Sequence, residues 1–376
     1  MTGLIKKQDD LGIYLHVPFC LSKCPYCDFY SLVSTPELWE KYTSKLRGLI
    51  CCNPFTGRQV STLYFGGGTP SVLGAGHLKR LVTAVKESFC LQEDAEITLE
   101  MNPGDASREF YQQMRASGVN RISMGLQAAQ PDALQQLGRR HTREDAAQAV
   151  TWARQAGFDN LSLDLMLATP GQTQRQAAES IEFCAGLGVD HISAYLLKVE
   201  PNTPFDSKEI TSLLPGPDEA AALYLFAVEK LNQLGYQQYE ISNFAREGKI
   251  SRHNTRYWLG QDYLGLGPAA HSLVDGKRFY FPRDLTGFLA ARDPMELVIS
   301  DGEGGTEEEF ILLRLRLSSG ISWDEYRERF KGSPERLVQK AAPMAKAGLA
   351  VLDDTHLALT AQGFLVSNEI ITRLLS

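Results

Sequence analysis

The sequence has no run of about 18 uninterrupted apolar residues, the length a membrane-spanning helix needs,. Its first ten residues, MTGLIKKQDD, have no apolar core of the kind that marks a secretory signal,. There is no long basic run. The 38 Lys and Arg stand against 45 Asp and Glu, a net charge of -7, so broad electrostatic binding to nucleic acid is not expected. These absences point to a cytoplasmic protein, a compartment that disfavours disulfides and turns clustered cysteine towards metal or redox chemistry. What is present is ordinary globular material. The 376 residues are 43% hydrophobic and 22% charged, enough for a sizeable core and for two domains.

Cysteine is scarce but uneven. Three of seven fall in YLHVPFCLSKCPYCDFYS, spaced C-x3-C-x2-C as Cys20, Cys24 and Cys27. A structural zinc site closes with four ligands, and His16, four residues before Cys20 on a strand-like stretch, would have to fold back to supply the fourth. A disulfide leaves an odd thiol. An iron-sulfur cube normally takes four cysteines; held by three, it leaves one iron open to a small molecule. Cys51 and Cys52, in a loop-like ICCNPFTG, Cys90, at the end of a helical stretch, and Cys184, on the apolar face of a helix, read as small buried or half-buried hydrophobes,.

Up to about residue 240, short apolar strands alternate with amphipathic helices. IYLHV, TLYFGG, EITLEMN, RISMGLQ, NLSLDLML and HISAYLL read as six strands. Strand, helix, strand in repeated order predicts an α/β fold with a parallel sheet, a barrel or most of one. Its chemistry would gather at the C-terminal strand ends. GGGTP, Gly66 to Pro70, follows the second strand, and its glycines would let backbone N–H groups approach a carboxylate or phosphate,. It lacks the G-x-G-x-x-G spacing of a dinucleotide fingerprint. Asn102 lies with Glu100 at the end of the third strand, and Glu100, Gln127 and Asp164 are polar groups in otherwise apolar strands. They read either as internal ion pairs with Arg121 or Arg139, or as partners of a polar cofactor in the barrel mouth.

The three cysteines followed by GGGTP resemble the radical S-adenosylmethionine (SAM) superfamily. YLHVPFCLSKCPYCDF, LYFGGGTPS, EITLEMNPG, NRISMGLQ, LGRRH, GYQQYEISNFA, HNTRYW and YLGLGPAAHS are together similar to its HemN/HemW family, from about residue 11 to the end. The resemblance implies a partial (β/α)6 barrel and a [4Fe-4S] cluster on Cys20, Cys24 and Cys27 whose open iron takes S-adenosylmethionine. It implies that Tyr14 and Tyr26 line the cofactor site and that Gly67, Gly68 and Thr69 contact its methionyl end. Glu100, Gln127, Arg139 and Asp164 match further cofactor-contacting positions. An electron donor is implied as a partner. Where the family commonly has Gly-Leu before Pro170, this chain has Ala168 and Thr169.

Two members of the family compete as models. Oxygen-independent coproporphyrinogen III oxidases carry one more cysteine two residues after the third ligand, where this chain has Phe29, and a longer N-terminal segment than the thirteen residues before Tyr14. HemW-type haem chaperones share CPYCDF and HNTRYW. On that resemblance His253 is the first candidate for a haem ligand, His271 a second near the same cavity, and a haem-accepting protein a further partner. The domains expected are a core over 1–245, a connecting segment carrying HNTRYW over 246–300, and a winged-helix-like module over 301–376. That module opens with an acidic Gly-rich linker, DGEGGTEEEF, followed by one helix over EEFILLRLRLSSGISWDEYRERF. Its basic residues are mixed with acids, which favours a lid or docking role over DNA binding.

Overall fold

The computed structural model describes residues 10–376, so the expectations for the first nine residues lie outside the described residues. Six parallel strands form the heart of the fold: β1 Leu11–Val17, β2 Gln59–Gly67, β3 Cys90–Met101, β4 Arg121–Gln127, β5 Leu161–Leu167 and β6 His191–Leu196. They run side by side in chain order, the arrangement that alternating strands and helices dictate. Along each strand one phase is apolar and packs outward under helices. Ile13, Leu15, Leu63, Phe65, Leu99, Ile122, Met124 and Leu163 are fully buried, each such side chain contributing about 1.5–3 kcal/mol. The other phase carries Tyr14, Tyr64, Glu100, Ser123, Asp164 and Ser193 into the lumen.

The covering helices are α1 Pro36–Cys52, α2 Gly74–Ser88, α3 Arg108–Ser117, α4 Arg143–Gln155, α5 Gln174–Gly186 and α6 Pro217–Gln233. Capping boxes start two of them. Thr142 and Asp145 exchange side-chain and backbone bonds at α4, and Thr173 and Gln176 do so at α5, each cap adding about 1 kcal/mol. α1 runs on through Cys51 and Cys52, which are exposed at its C-terminus, and Cys90 is exposed at the first position of β3. The expectation of buried thiols is therefore corrected for these three; Cys184 is fully buried.

The barrel does not close. β1 pairs with β2 on one side and on the other with a strand from far along the chain. After the short β7 Gln237–Gln238 and β8 Asn243–Ala245, which extend the β6 edge, come β9 Tyr263–Leu266, β10 His271–Val274, β11 Lys277–Tyr280 and β12 Ile299–Glu303. The sheet order is β12-β11-β10-β9-β1-β2-β3-β4-β5-β6-β8-β7. Residues 246–300 are therefore not a connecting segment. They build one flank of the sheet, and helix α7, Arg252–Trp258, plugs the N-terminal end of the lumen. DGEGG is likewise no linker, because Asp301–Glu303 belong to β12 and pair with β11.

The remaining chain folds as α8 Glu307–Arg314, β13 Ile321–Ser322, α9 Trp323–Phe330, α10 Glu335–Lys346, β14 Ala350–Leu352, β15 His356–Leu359 and α11 Ser367–Leu375. The expected single helix is broken between Arg314 and Ile321, where Ile321 joins the sheet β13-β15-β14. Helix, strand, two helices and a hairpin is a winged-helix order. The module shares one continuous core with the barrel and is tied to it by Ile241 N–H to Arg316 O at 3.0 Å and Ser318 N–H to Tyr239 O at 3.0 Å. Among the described residues no helix is long and apolar enough to cross a membrane.

Candidate functional site

The cysteine loop leaves β1 at the mouth, the C-terminal end of the barrel. Cys20, Cys24 and Cys27 are all half-buried free thiols, and Cys27 N–H closes a turn on Cys24 O at 3.1 Å. Distant segments hold the loop. Phe205 N–H donates to Pro25 O at 3.1 Å, the Tyr26 ring packs edge-on against Phe205, and Arg139 lies over the Tyr26 ring at 5.7 Å. His16 holds the exit through Nε2 and Tyr30 O at 2.9 Å, while its Nδ1 meets Tyr14 Oη at 3.1 Å. With both nitrogens engaged, His16 is not a fourth ligand, which removes the zinc reading built on it.

The residues fit a cluster held by three thiols. Burial, and then the neighbouring Cys24 and Cys20, push the Cys27 thiol up, a cost that iron binding to the thiolate would relieve. Thr69 Oγ1 donates to Cys20 Sγ at 3.6 Å. Tyr26 Oη and Arg139 Nε are buried with no partner among the described residues, and buried polar groups of this kind are rare unless a bound group satisfies them. Among the described residues no three His, Cys, Asp or Glu gather tightly enough to hold a single ion. A single zinc draws its ligands to about 2.3 Å from one point, whereas each cysteine of a cube binds a separate iron.

GGGTP seats this loop. Gly67 has φ +111, and a Cβ there would lie 2.7 Å from the His16 ring. Gly68 crosses the backbone of Phe19 so closely that a Cβ would sit 2.5 Å from Phe19 O. The expected nest of free N–H groups is corrected: Gly68 N–H donates to Val17 O at 2.8 Å and Thr69 N–H to Phe19 O at 2.7 Å. The glycines allow two backbones to touch, and the Thr69 hydroxyl is what faces the thiols.

Below the loop lie two carboxylates. Glu100 accepts from Tyr64 Oη at 2.6 Å; burial raises it to about 7. Asp164 accepts from Ser193 Oγ at 2.8 Å, Ser123 Oγ at 3.3 Å and Ser162 Oγ at 3.4 Å, and burial raises it too. Their partners are hydroxyls rather than the guanidinium of Arg121 or Arg139, so the internal ion-pair reading does not hold. Arg139 instead donates to Asn102 Oδ1 at 2.8 Å, and Asn102 Nδ2 to Thr69 Oγ1 at 3.1 Å. Gln127 ends β4 beside Arg139, both close over Gly125. Gln127, Ala168 and Ala269 hold φ of 74°, 57° and 66°, left-handed values that cost a non-glycine residue roughly 1–2 kcal/mol. All three fall at the mouth ends of strands.

Tyr26, Thr69 and Arg139 therefore stand at the cysteine loop with Asn102, Gln127 lies beside Arg139, and Tyr14, Glu100 and Asp164 line the lumen below, Tyr14 reaching the loop through His16. The two candidate histidines are not part of this group. His253 is not in a loop but in α7, fully buried at the opposite end of the lumen. Its Nδ1 meets Thr62 Oγ1 and its Nε2 meets Tyr257 Oη, each at 2.8 Å, and its ring stacks on Tyr64 at 5.0 Å. Burial, then Arg256 and Arg121, lower it to about 3, so it is a neutral plug residue. The rest of HNTRYW acts likewise: Glu96 accepts from the N–H groups of Arg252 and His253, and buried Arg256 pairs with Asp10 at 3.2 Å. His271 is exposed at the start of β10, beyond the mouth end of β9.

The serine cage of Asp164 and the Tyr64–Glu100 bond were not anticipated from sequence. The signal was present: in RISMGLQ, LSLDLML and HISAYL the polar residues occupy the phase opposite to the apolar one, a lumen-facing phase in a barrel.

A model of the radical SAM superfamily matches residues 14–184, and one of the HemN C-terminal domain matches residues 308–366. The chain is 34% identical to the haem chaperone HemW of Lactococcus lactis subsp. lactis, over 98% of each chain. It is 33% identical to the haem chaperone HemW of Bacillus subtilis, over 95% of this chain and 97% of that one. Its fold is similar to that of the radical SAM enzyme coproporphyrinogen III oxidase (HemN) from Escherichia coli, with a TM-score of 0.85 and 24% identity, covering 98% of this chain and 91% of that chain.

Proposed function

This chain belongs to the HemW family within the radical SAM superfamily, and from that premise we propose that it binds haem and passes it to an acceptor protein. It does so with a [4Fe-4S] cluster on Cys20, Cys24 and Cys27 and S-adenosylmethionine in the barrel mouth. The likeness to relatives that are haem chaperones, which runs the length of the chain, carries the reading.

When bound, the cluster and S-adenosylmethionine supply one-electron cleavage of a sulfonium. The chain's own residues bind and orient. Cys20, Cys24 and Cys27 would hold the cluster iron as thiolates, and Thr69 donates to the Cys20 sulfur. Arg139 and Asn102 brace the rim between that loop and β3. Glu100 and Asp164 offer acceptor oxygens to the polar end of a ligand, with Tyr14 beside them. The reducing electron would have to come from a separate donor, and the half-buried cysteine loop is the part of the chain such a donor would face. The winged-helix-like module, packed on the barrel, serves as a lid or docking element.

The decarboxylase reading meets Phe29, 69% exposed, where the coproporphyrinogen III oxidases carry a further cysteine. The test is anaerobic reconstitution with parallel assays. We expect stoichiometric haem binding and no protoporphyrinogen from coproporphyrinogen III; efficient decarboxylation without haem binding would overturn the proposal.

A further inference from the structure

A haem iron takes a neutral imidazole nitrogen, so the chain's seven histidines can be sorted by what their nitrogens already do. His16, His191 and His253 each have both nitrogens in hydrogen bonds. His141 is buried, with Nε2 on Leu126 O at 3.1 Å. His77 lies on the outer face of α2, 3.7 Å from Glu40, and His356 sits on Asp353 of the C-terminal module at 3.1 Å. His271 is exposed, and no described group bonds either of its ring nitrogens.

The surroundings of His271 suit an amphipathic, flat, dianionic ligand. Its ring stacks on Tyr280 with centroids 5.0 Å apart and planes at 19°, which sets the plane of the imidazole. His271, Tyr280 and Ile299 are successive cross-strand partners, so they share one face of the sheet flank; Ile299 is 42% exposed. Asp301 and Arg283 both lie near enough to act on His271, and Arg283 has an anionic partner of its own in Asp28, at 3.6 Å and exposed. The residue after Asp28 is Phe29, the most open of the large apolar side chains on the cysteine loop. The imidazole and the Tyr280 ring are thus stacked on the mouth side of the sheet, and the exchangeable Arg283–Asp28 pair ties the Phe29 end of the cysteine loop to the segment that follows Tyr280.

We propose that haem docks on this flank with His271 as axial ligand, Tyr280 and Phe29 against the porphyrin, and Arg283 exchanging Asp28 for a propionate. This rests on the haem-binding reading and gives it a location other than HNTRYW. The test is titration of the full-length, anaerobically reconstituted protein with ferric protoporphyrin IX, following the Soret band, with iron content and circular dichroism confirming that each variant is folded. His271→Ala should weaken binding at least tenfold and lose the imidazole-ligated spectrum. His271→Gly should regain that spectrum with added imidazole. Arg283→Glu should weaken binding several-fold with the spectrum kept, and His356→Ala should change nothing. If the wild type binds haem and His271→Ala matches it in affinity and spectrum, the location is wrong and the chaperone reading stands. If the wild type binds no haem, that reading fails and the location fails with it.

Discussion

Gly68→Ala tests how the cysteine loop is seated. An added Cβ would lie 2.5 Å from Phe19 O and 2.9 Å from both Phe19 C and Phe19 N, well inside the roughly 3.5 Å at which carbon contacts become favourable. The obstacle is backbone, so no rotamer relieves it, and the two segments must separate by about 0.5–1 Å. Two hydrogen bonds span that gap, Gly68 N–H to Val17 O at 2.8 Å and Thr69 N–H to Phe19 O at 2.7 Å. Each contributes about 1 kcal/mol, and a buried carbonyl left unmatched costs about 1–3 kcal/mol. Val17 and Phe19 are fully buried, so water does not compensate. The expected loss is about 3 kcal/mol, and iron content should fall with it because Phe19 adjoins Cys20. Urea unfolding of the apo chain and iron per chain after reconstitution measure both. Gly48→Ala is the control: a Cβ there meets nothing within 4 Å, and in mid-helix alanine should gain about 0.5–1 kcal/mol. Gly68→Ala unfolding within about 0.5 kcal/mol of wild type and carrying full iron would refute the reasoning.

Cys20→Ala, Cys24→Ala or Cys27→Ala should each abolish the thiolate-to-iron absorption, whereas Cys51→Ser, Cys52→Ser and Cys90→Ser should keep it; a Cys90 variant without the cluster beside a Cys24 variant with it would break the assignment. Ala168→Gly should stabilise the chain by about 1 kcal/mol, since alanine holds φ +57 there; an unchanged urea midpoint would count against strain at that turn. Burial raises Glu240, 1% exposed, to about 7, above its unfolded value. The folded chain therefore binds more protons, and the group's contribution to stability falls as pH rises from about 4.5 to 7. Glu240→Gln should flatten that slope in urea midpoints measured across the range, and an identical slope would show that the carboxyl ionises normally.

All six barrel strands are legible in the sequence because their outward phase is apolar at period two, a pattern imposed by the helices above. The cysteine loop is legible because three thiols at short spacing are chemistry before they are structure. What misled is long-range or one-sided. HNTRYW looks like a loop because the reasons for α7 lie far away, in Glu96, Ser61 and Asp10, which receive its N–H groups and Arg256. β11 and β12 look like linker because the outer flank of the sheet buries little: KRFY is at most half-buried and every residue of ISDGE is exposed, so neither carries an apolar alternation. The exposed Cys51 and Cys52 are a case of helix phase, since α1 continues past the point where its apolar face ends.

The hydrogen bonds of the lumen commit its N-terminal half to internal partners. Ser162 has one proton, and Asp164 at 3.4 Å takes it. Ser162 Oγ must then accept from His191 Nδ1–H at 2.8 Å, which leaves Nε2 to accept from Tyr239 Oη at 2.8 Å. One tautomer satisfies the whole chain, and every donor in it points towards Asp164. His191 is held neutral by burial and by Arg121, so no positive charge competes for the carboxylate. On α7, His253 and Tyr257 close the same end with their own mutual bond. The interior below Glu100 and Asp164 is thus committed to internal partners, which leaves the mouth as the end from which a ligand could enter. The cysteine loop, Thr69 and Arg139 stand at that entrance, and His271 lies on the adjoining flank at the same end of the sheet. A ligand on the flank and a cofactor in the lumen would therefore meet across the cysteine loop.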